Sequence, residues 1–311
     1  MVVIFHADDF GITPAQSKRI LECCGGVPGG RGALNSLSIL ANSPCFEECA
    51  ALLDGRPAGL RVGVHLNFVE GPCVADPAQV PMLVDGRGMF RLGYGGLLAA
   101  SALHGAELAR QVEIEAAAQV ERVVGRFPEL AGALRLDGHQ HTHLIPAVFR
   151  GVLAVAKRPE YALEYLRIPA EPAAPFAAAG VAGTIEPINR VKRGLLNYLW
   201  RRDRRAFDAA GLGAYTEKSA VFCGLSFSGH MDEKRVAAVY PRLREVAETR
   251  GMALELLFHP GRVDAPEHCL NPALPGFVEF SCGEGRDVEH DALKSEALLA
   301  IARSEGAEVV A

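Results

Sequence analysis

The sequence contains no apolar stretch that reaches the roughly 18 consecutive residues needed for a helix to cross a bilayer. It also begins without the features of a secretory signal. Met1 runs directly into a strand-like VVIF and two aspartates, where a signal would have a basic start and a longer apolar run. We therefore expect a cytoplasmic protein without a membrane span.

The chain also lacks a disulfide pattern and a strong charge of either sign. None of its eight cysteines forms a CxxC pair, so we expect reduced thiols in a chain of this size. The net charge is -5 and the pI is about 6.1, which gives no general attraction for nucleic acid or an anionic membrane. With 49% hydrophobic residues the chain can form a sizeable core, and a small molecule is the favoured partner.

What the sequence does contain is an alternation of short aliphatic runs and longer amphipathic stretches. This rhythm is typical of repeated β-α units around a parallel sheet. It predicts one α/β domain over residues 1–311, a TIM-like (β/α) barrel with seven or eight parallel strands. The predicted strands are 2–7, 34–40, 60–66, 133–137, 164–168, 219–224 and 254–258, and an eighth is expected at 277–281 or 307–311.

Five helices and two long loops accompany these strands. The loops are expected at 70–100 and 170–185, which are rich in Gly, Pro and Ala and are predicted to lie over the active-site face. A run of basic residues at 192–205 is interpreted as a solvated helix face, with an anion or partner site as the alternative. The predicted helices are 14–24, 106–126, 146–157, 232–250 and 291–304.

Several of the aliphatic runs end in residues that can carry out chemistry. Because the carboxyl ends of parallel barrel strands open on one face, these residues are expected to converge even though they are far apart in sequence. Neighbouring aspartates can also cap a helix, and a lone histidine at a strand end is often structural. The residues concerned are Asp8, Asp9, His65, Asp137, His139, Arg167 and His259.

The segment HQHTH holds three histidines at alternating positions, His139, His141 and His143. On an extended chain the two-residue period would place the three imidazoles on one face. Three adjacent imidazoles without a metal or substrate would be an unusual structural choice, so this segment favours a functional site.

A mixed set of one aspartate and two histidines suits a divalent ion of the zinc type and leaves positions open for water and substrate. Hydrolysis of an amide would also need a base for the attacking water and an acid for the departing amine. Asp8, beside the ligand Asp9, is the candidate base and His259 the candidate acid. Arg167 is expected to orient Asp8 through a charge-assisted hydrogen bond.

At HADDFG, GVHLNFVEG, LDGHQHTHLIP, LRIP and FHPG the sequence resembles the YdjC-like carbohydrate deacetylases, which include a chitin-oligosaccharide deacetylase and a hopanoid-associated branch. The matches run in order from residue 6 to residue 261. The resemblance implies a metal ion, Mg²⁺ or Zn²⁺, held by Asp9, His65 and His139. It further implies hydrolysis of an N-acetyl group on an amino sugar or oligosaccharide, and frequent homodimers.

The sequence departs from this family at His6, where a small residue or Asn is usual. We expect His6 to point into or beside the site, where it could alter the substrate pocket or add a polar contact. Two other functions remain open at this point. The same metal set could serve a phosphoesterase or another amidohydrolase, although amidohydrolase barrels usually carry an early His-x-His where this chain has aspartates. A sugar-binding barrel without catalysis is the other alternative, and it would be expected to have lost some of these residues.

Overall fold

Seven parallel strands form one sheet in the computed structural model, which describes residues 1–306. The strand order is β5-β4-β3-β2-β1-β7-β6, and every neighbouring pair is parallel. All seven strands predicted with definite bounds are present, shifted by a few residues at their ends. Their bounds are β1 Val3–Phe10, β2 Ser36–Ile39, β3 Arg61–Leu66, β4 Leu134–Gly138, β5 Leu163–Leu166, β6 Ala220–Cys223 and β7 Ala253–Phe258.

Helices cover the outside of the sheet and connect its strands. Four of the five predicted helices are confirmed with small changes at their ends, namely those that begin near residues 14, 106, 146 and 232. The α-helices are α1 Pro14–Leu21, α2 Phe46–Ala51, α3 Tyr94–Leu103, α4 Gly105–Arg126, α5 Pro146–Ala156, α6 Ala174–Ala178, α7 Pro187–Ala210, α8 Tyr215–Lys218, α9 Glu233–Arg250, α10 Pro275–Cys282, α11 Gly285–Lys294 and α12 Glu296–Ser304.

Two predictions about local structure were wrong or incomplete. The strand proposed at 277–281 is part of α10, which begins at Pro275, a residue suited to the first turn of a helix. Its alternative at 307–311 lies outside the described residues. The single helix expected at 291–304 is two helices, because Ser295 leaves the helical conformation and caps α12 by accepting a hydrogen bond from the Leu298 N–H.

The two predicted loops contain helices. Segment 70–100 includes the start of α3, whose Leu97 is fully buried, and segment 170–185 includes α6, with Phe176 fully buried. The basic run 192–205 lies within α7, where most of its charged side chains are exposed, as expected for a solvated helix face. None of the helices within residues 1–306 is both long enough and apolar enough to cross a membrane.

The sheet is strongly curled. Arg167 directly follows β5 and Glu255 lies on β7, with four strands between β5 and β7. Strands in a flat sheet are about 4.8 Å apart, which would separate these two positions by roughly 24 Å. Nε of Arg167 nevertheless donates to Oε1 of Glu255 at 2.8 Å, and the Tyr165 hydroxyl on β5 donates to the same carboxylate.

The curled sheet is open along one seam. No ladder joins the edge strands β5 and β6 within residues 1–306. Nζ of Lys218, just before β6, donates to the Leu163 carbonyl of β5 at 2.7 Å, so a side chain crosses the seam where backbone pairing is absent. The expected barrel is therefore confirmed as an α/β half-barrel of seven parallel strands, and a closed TIM barrel is not formed by the described strands.

We predict that Arg167→Met lowers the free energy of unfolding by about 3–5 kcal/mol, since it removes the counter-charge of buried carboxylates. Arg167 is fully buried beside Asp8, Asp137 and Glu255. Urea denaturation measures the loss. Arg242→Met is the control, because its exposed ion pair to Glu245 at 3.4 Å is worth about 1 kcal/mol or less. Equal midpoints for the two variants would contradict this account of the sheet interior.

Candidate active site

The carboxyl end of β1 carries two aspartates that both reach the mouth of the half-barrel. In a regular strand Asp8 and Asp9 would point to opposite faces. The pairing register with β2 shifts between Ala7 and Phe10, and Asp9 has a φ of 65°. This left-handed conformation is uncommon for residues other than glycine, but Asp adopts it more readily than most. The local distortion turns the Asp9 carboxylate over the strand ends.

Asp9 meets His65 from β3 and His139 from the segment after β4. Its Oδ1 lies 3.3 Å from Nε2 of His65 and 2.9 Å from Nδ1 of His139, and these two nitrogens are 3.3 Å apart. Donor atoms about 2.0–2.2 Å from one ion lie roughly 2.9–3.5 Å from one another. The three atoms therefore form a group that could hold a divalent ion, and the residues are those singled out in the sequence.

Both histidines have a carboxylate on the ring nitrogen that faces away from this group. Nδ1 of His65 lies 2.5 Å from Oδ1 of Asp137, and Nε2 of His139 lies 2.8 Å from Oε1 of Glu70. A carboxylate in this place holds the proton on the outer nitrogen and fixes the orientation of the ring. The nitrogens that face each other are then left with free lone pairs, as ligands of a metal ion need.

The third member, Asp9, is held in the same manner by a cation. Nη2 of Arg286 donates to its Oδ2 at 2.7 Å, which leaves Oδ1 toward the histidines. Burial opposes ionisation of this carboxyl, but the charges of His139 and Arg286 outweigh it and hold its pKa well below the usual range. Asp9 is therefore a carboxylate across the working pH range.

The group attracts positive charge. Burial disfavours the imidazolium forms, but nearby carboxylates, Asp8 and Asp137, outweigh this and raise the pKa of His65 to about 9. The carboxylates of Glu70 and Asp9 do the same for His139, whose pKa rises to about 10. In the absence of another cation, protons neutralise this cluster. A divalent ion would take their place, since metal ligands must give up their protons.

A second Asp/His group lies deeper in the half-barrel. Nε2 of His6 is 3.3 Å from Oδ1 of Asp8 and 3.3 Å from Oδ2 of Asp137, and the hydroxyl groups of Ser36 and Ser38 also contact its ring. His6 is 2% exposed and lies beside the site, where it makes a polar contact with Asp8, one of the roles expected for it. His6 and Asp8 alternate along β1 with the core residues Phe5 and Ala7, and they point into the interior of the half-barrel.

Arg167 makes the contact with Asp8 that was expected from the sequence. Its Nη1 lies 2.8 Å from both oxygens of Asp8, and its Nη2 is 3.3 Å from Oδ2 of Asp137. Burial opposes the charge on Asp8, but the Arg167 guanidinium outweighs it and lowers the pKa of that carboxyl. Because a cation already lies against both carboxylates, this deeper group is a poorer place for a metal ion than the group at the mouth.

The three histidines of HQHTH do not share a face. Gln140 and His141 have φ values of 52° and 56°, so the segment turns sharply where an extended chain was expected. Only His139 reaches Asp9. Nε2 of His143 contacts the backbone carbonyl of Arg167 at 2.9 Å, and burial lowers the pKa of His143 to about 4. His143 is thus a neutral structural residue behind the site.

His259 follows β7 and lies at the same mouth. Its Nδ1 is 3.4 Å from Oε2 of Glu289, and the same carboxylate accepts the His259 backbone N–H at 2.5 Å. The ring packs edge-on against Phe280 of α10, with 5.1 Å between ring centroids, and its side chain is 12% exposed. Glu289 therefore fixes the backbone at His259, and Phe280 packs against the ring.

Four residues of this arrangement were missed by sequence reasoning: Glu70, Glu255, Arg286 and Glu289. Glu70 lies within the segment GVHLNFVEG, so it was close to a residue already singled out. The other three are single charged residues in a strand or a helix, and no local pattern distinguishes them from surface charges. These three residues are between 0% and 2% exposed, and this burial is what identifies them in the structure.

Comparison with known proteins gives consistent matches. The model of a family described as YdjC-like protein matches residues 2–304. Two proteins named carbohydrate deacetylase cover 92% of this chain: the mouse protein is 31% identical over 82% of its own length, and the human protein is 30% identical over 80%. A Brevibacillus brevis protein of the same name is 31% identical over 53% of this chain and 59% of its own.

A solved structure from Enterococcus faecalis, named as a candidate cellobiose-phosphate cleavage protein, shares the fold. Its TM-score is 0.62, and the match covers 99% of this chain and 96% of the other. The sequence identity is 17%, so this likeness concerns the fold alone.

We predict that Glu70→Gln weakens binding of a divalent ion by about 10- to 100-fold, because the partner that orients His139 is then neutral. Titration of Zn²⁺ into chelator-stripped protein measures the dissociation constant. The control is Glu245→Gln on the exposed face of α9, where 68% of the side chain is accessible and no change is expected. An unaltered affinity in Glu70→Gln would show that His139 needs no such partner.

Proposed function

Because the chain belongs to the YdjC-like family, we propose that it is a metal-dependent hydrolase that removes the N-acetyl group from an amino sugar or oligosaccharide. The observation that carries the proposal is the Asp9, His65 and His139 group at the mouth of the half-barrel. The substrate class comes from the mouse and human relatives, which are named carbohydrate deacetylases.

We assign the metal ligands to Asp9, His65 and His139. A divalent ion in this place would lower the pKa of a bound water and polarise the acetyl carbonyl. Two nitrogen ligands and one oxygen ligand favour Zn²⁺, whereas Mg²⁺ prefers oxygen ligands and retains more of its waters. The partners Asp137, Glu70 and Arg286 would keep the three ligand atoms in place between turnovers.

Asp8 is the proposed base that takes a proton from the attacking water. It lies next to Asp9 in the chain, and its Oδ1 is 3.9 Å from Nδ1 of His65. Arg167 holds both carboxylate oxygens at 2.8 Å, so Asp8 stays ionised and in one orientation.

His259 is the proposed acid. When the tetrahedral intermediate collapses, the bond between the acetyl carbon and the sugar nitrogen breaks, and the nitrogen must receive a proton because an amine anion leaves too slowly. Glu289 lies beside Nδ1 of His259, which leaves Nε2 for the departing nitrogen. Phe280 packs edge-on against the ring and restricts its orientation.

We also propose that residues 1–311 form one catalytic domain, as expected from the sequence. Asp9 and Arg286 are 277 positions apart in the chain and yet hydrogen-bonded at the mouth. A site that needs both ends of the chain argues against a division into separate domains. The homodimer implied by the family resemblance stays a prediction.

We predict that the purified protein releases acetate from N-acetylated chitobiose or a related amino sugar, and that a chelator stops the reaction. His65→Ala should lose both bound metal and acetate release, since two remaining ligands hold an ion poorly. The exposed His268→Ala is the control. Phosphate release from phosphoesters without acetate release would favour the phosphoesterase alternative. Sugar binding without acetate release, with metal present, would favour a non-catalytic barrel.

We predict that His259→Ala retains metal and lowers turnover of N-acetyl sugars by about 10²- to 10⁴-fold. An activated acetyl ester, such as p-nitrophenyl acetate, has a leaving group that needs no proton, so the same variant should hydrolyse it at close to the wild-type rate. The ratio of the two rates is the measurement. Equal losses on both substrates would move the acid role away from His259.

A further inference from the structure

A cavity of about 430 Å³ opens at the end of the sheet opposite to Asp9, His65 and His139. Its walls come from the chain segments that lead into β3 and β4 and from the edge strand β5, where these strands begin. We call it the floor cavity. Among the residues that line it are three arginines and two glutamates: Arg56, Arg61, Arg135, Glu129 and Glu164.

Arg135 lines the floor cavity with a donor that has no partner. Its side chain is 7% exposed, and its guanidinium lies over the Tyr165 ring at 4.4 Å. Nη1 donates to Oε1 of Glu164 at 2.7 Å, whereas Nη2 is buried without a hydrogen bond to any described residue. A buried donor of a charged group without a hydrogen bond costs free energy, so the missing partner suggests that a ligand supplies it.

The position of Glu164 depends on an irregularity of β5. Leu134 pairs with Leu163 and Arg135 pairs with Tyr165, so Glu164 is an extra residue without a partner on β4. A bulge of this kind changes the direction of a side chain that regular alternation would place on the opposite face of the sheet. Glu164 thereby holds one nitrogen of Arg135 and leaves the other free, which fixes the guanidinium in place.

Arg61 is the cation of the floor cavity that forms no ion pair with a carboxylate of residues 1–306. At the start of β3 it is half-buried, and its side chain forms no ion pair or hydrogen bond with residues 1–306. Burial and the like charge of Arg135 lower the pKa of Arg61, and the charge of Glu164 offsets this only in part. Two guanidinium groups that repel each other would both be stabilised by an anion between them.

The other charged residues of the floor cavity do not cancel the positive charge of Arg61. Arg56 forms an ion pair with Glu129 and packs over the Phe127 ring at 4.6 Å. Glu164 forms an ion pair with Arg135, so the positive charge of Arg61 is the one without a carboxylate partner among residues 1–306. The floor cavity is thus locally cationic in a chain whose net charge is -5.

We propose that the floor cavity binds the phosphate group of a small molecule, held by the arginines Arg61 and Arg135 that line it. Planar guanidinium groups bind phosphate oxygens through paired hydrogen bonds, which a single lysine cannot do. The volume exceeds that of a phosphate ion alone, and Pro57, Leu60 and Leu130 supply apolar walls for the rest of a ligand. This proposal is independent of the deacetylase function, since its residues lie at the other end of the strands.

Calorimetric titration of inorganic phosphate and of glucose 6-phosphate into the full chain tests the proposal. We expect one saturable site, weakened about tenfold or more in Arg61→Gln, which loses a charge-assisted partner. Arg242→Gln on the exposed face of α9 is the matched control and should bind like the wild type. Tighter binding of the sugar phosphate would identify a phosphorylated metabolite as the ligand, and equal binding would identify free phosphate.

A second variant tests the same proposal without the removal of an arginine. Ala58 lines the floor cavity and is exposed, so Ala58→Glu adds a negative charge there without disturbing the core, and it should weaken phosphate binding as Arg61→Gln does. Circular dichroism checks that both variants fold. Binding that is lost in His139→Ala and kept in Arg61→Gln would place the phosphate at the metal group and overturn the proposal. Absence of saturable binding to wild-type protein would overturn it as well.

Discussion

The buried guanidinium of Arg167 is the interaction on which the interior of this protein depends. It contacts Asp137 on the neighbouring strand β4, and also Asp8 on β1 and Glu255 on β7, two strands that a flat sheet would keep far from β5. Asp137 in turn contacts His65 at 2.5 Å. The charge network that curls the sheet therefore also sets the position of a proposed metal ligand. Loss of Arg167 should affect stability and chemistry together, because an unpaired buried carboxylate is strongly unfavourable.

The polar interior distinguishes this half-barrel from the usual arrangement. Barrels of this class generally fill their centre with layers of branched aliphatic side chains. Here the inward positions near the strand ends carry buried charged or titratable groups, and apolar packing is concentrated between the sheet and the surrounding helices. Such an interior is stable only if every group has a partner of opposite charge or a hydrogen bond. The inward residues concerned are His6, Asp8, His65, Arg135, Asp137, Arg167 and Glu255.

Much of the architecture and the centre of the site could be predicted before the structure. Strands were predictable because their aliphatic runs are short and alternate with helices. The convergence of Asp9, His65 and His139 was predictable because parallel strands end on one face, and the family resemblance selected these three from the other residues at the strand ends. The failures have specific causes. The run 277–281 contains two phenylalanines and a valine, as a strand would, but Pro275 starts a helix there. His141 was misjudged because its left-handed backbone cannot be inferred from the letters HQHTH.

By itself, the sequence determined which chemistry was available and where along the chain it lies: carboxylates, imidazoles and a guanidinium at the ends of aliphatic runs. The tertiary structure alone decided how each of these groups is held. Glu70 is 69 positions from His139, Glu255 is 88 from Arg167 and Arg286 is 277 from Asp9. It also decided that the sheet stays open between β5 and β6. The physical reason is that hydrogen bonds and charge pairs depend on distances of about 3 Å in space, whereas sequence patterns report only neighbours along the chain.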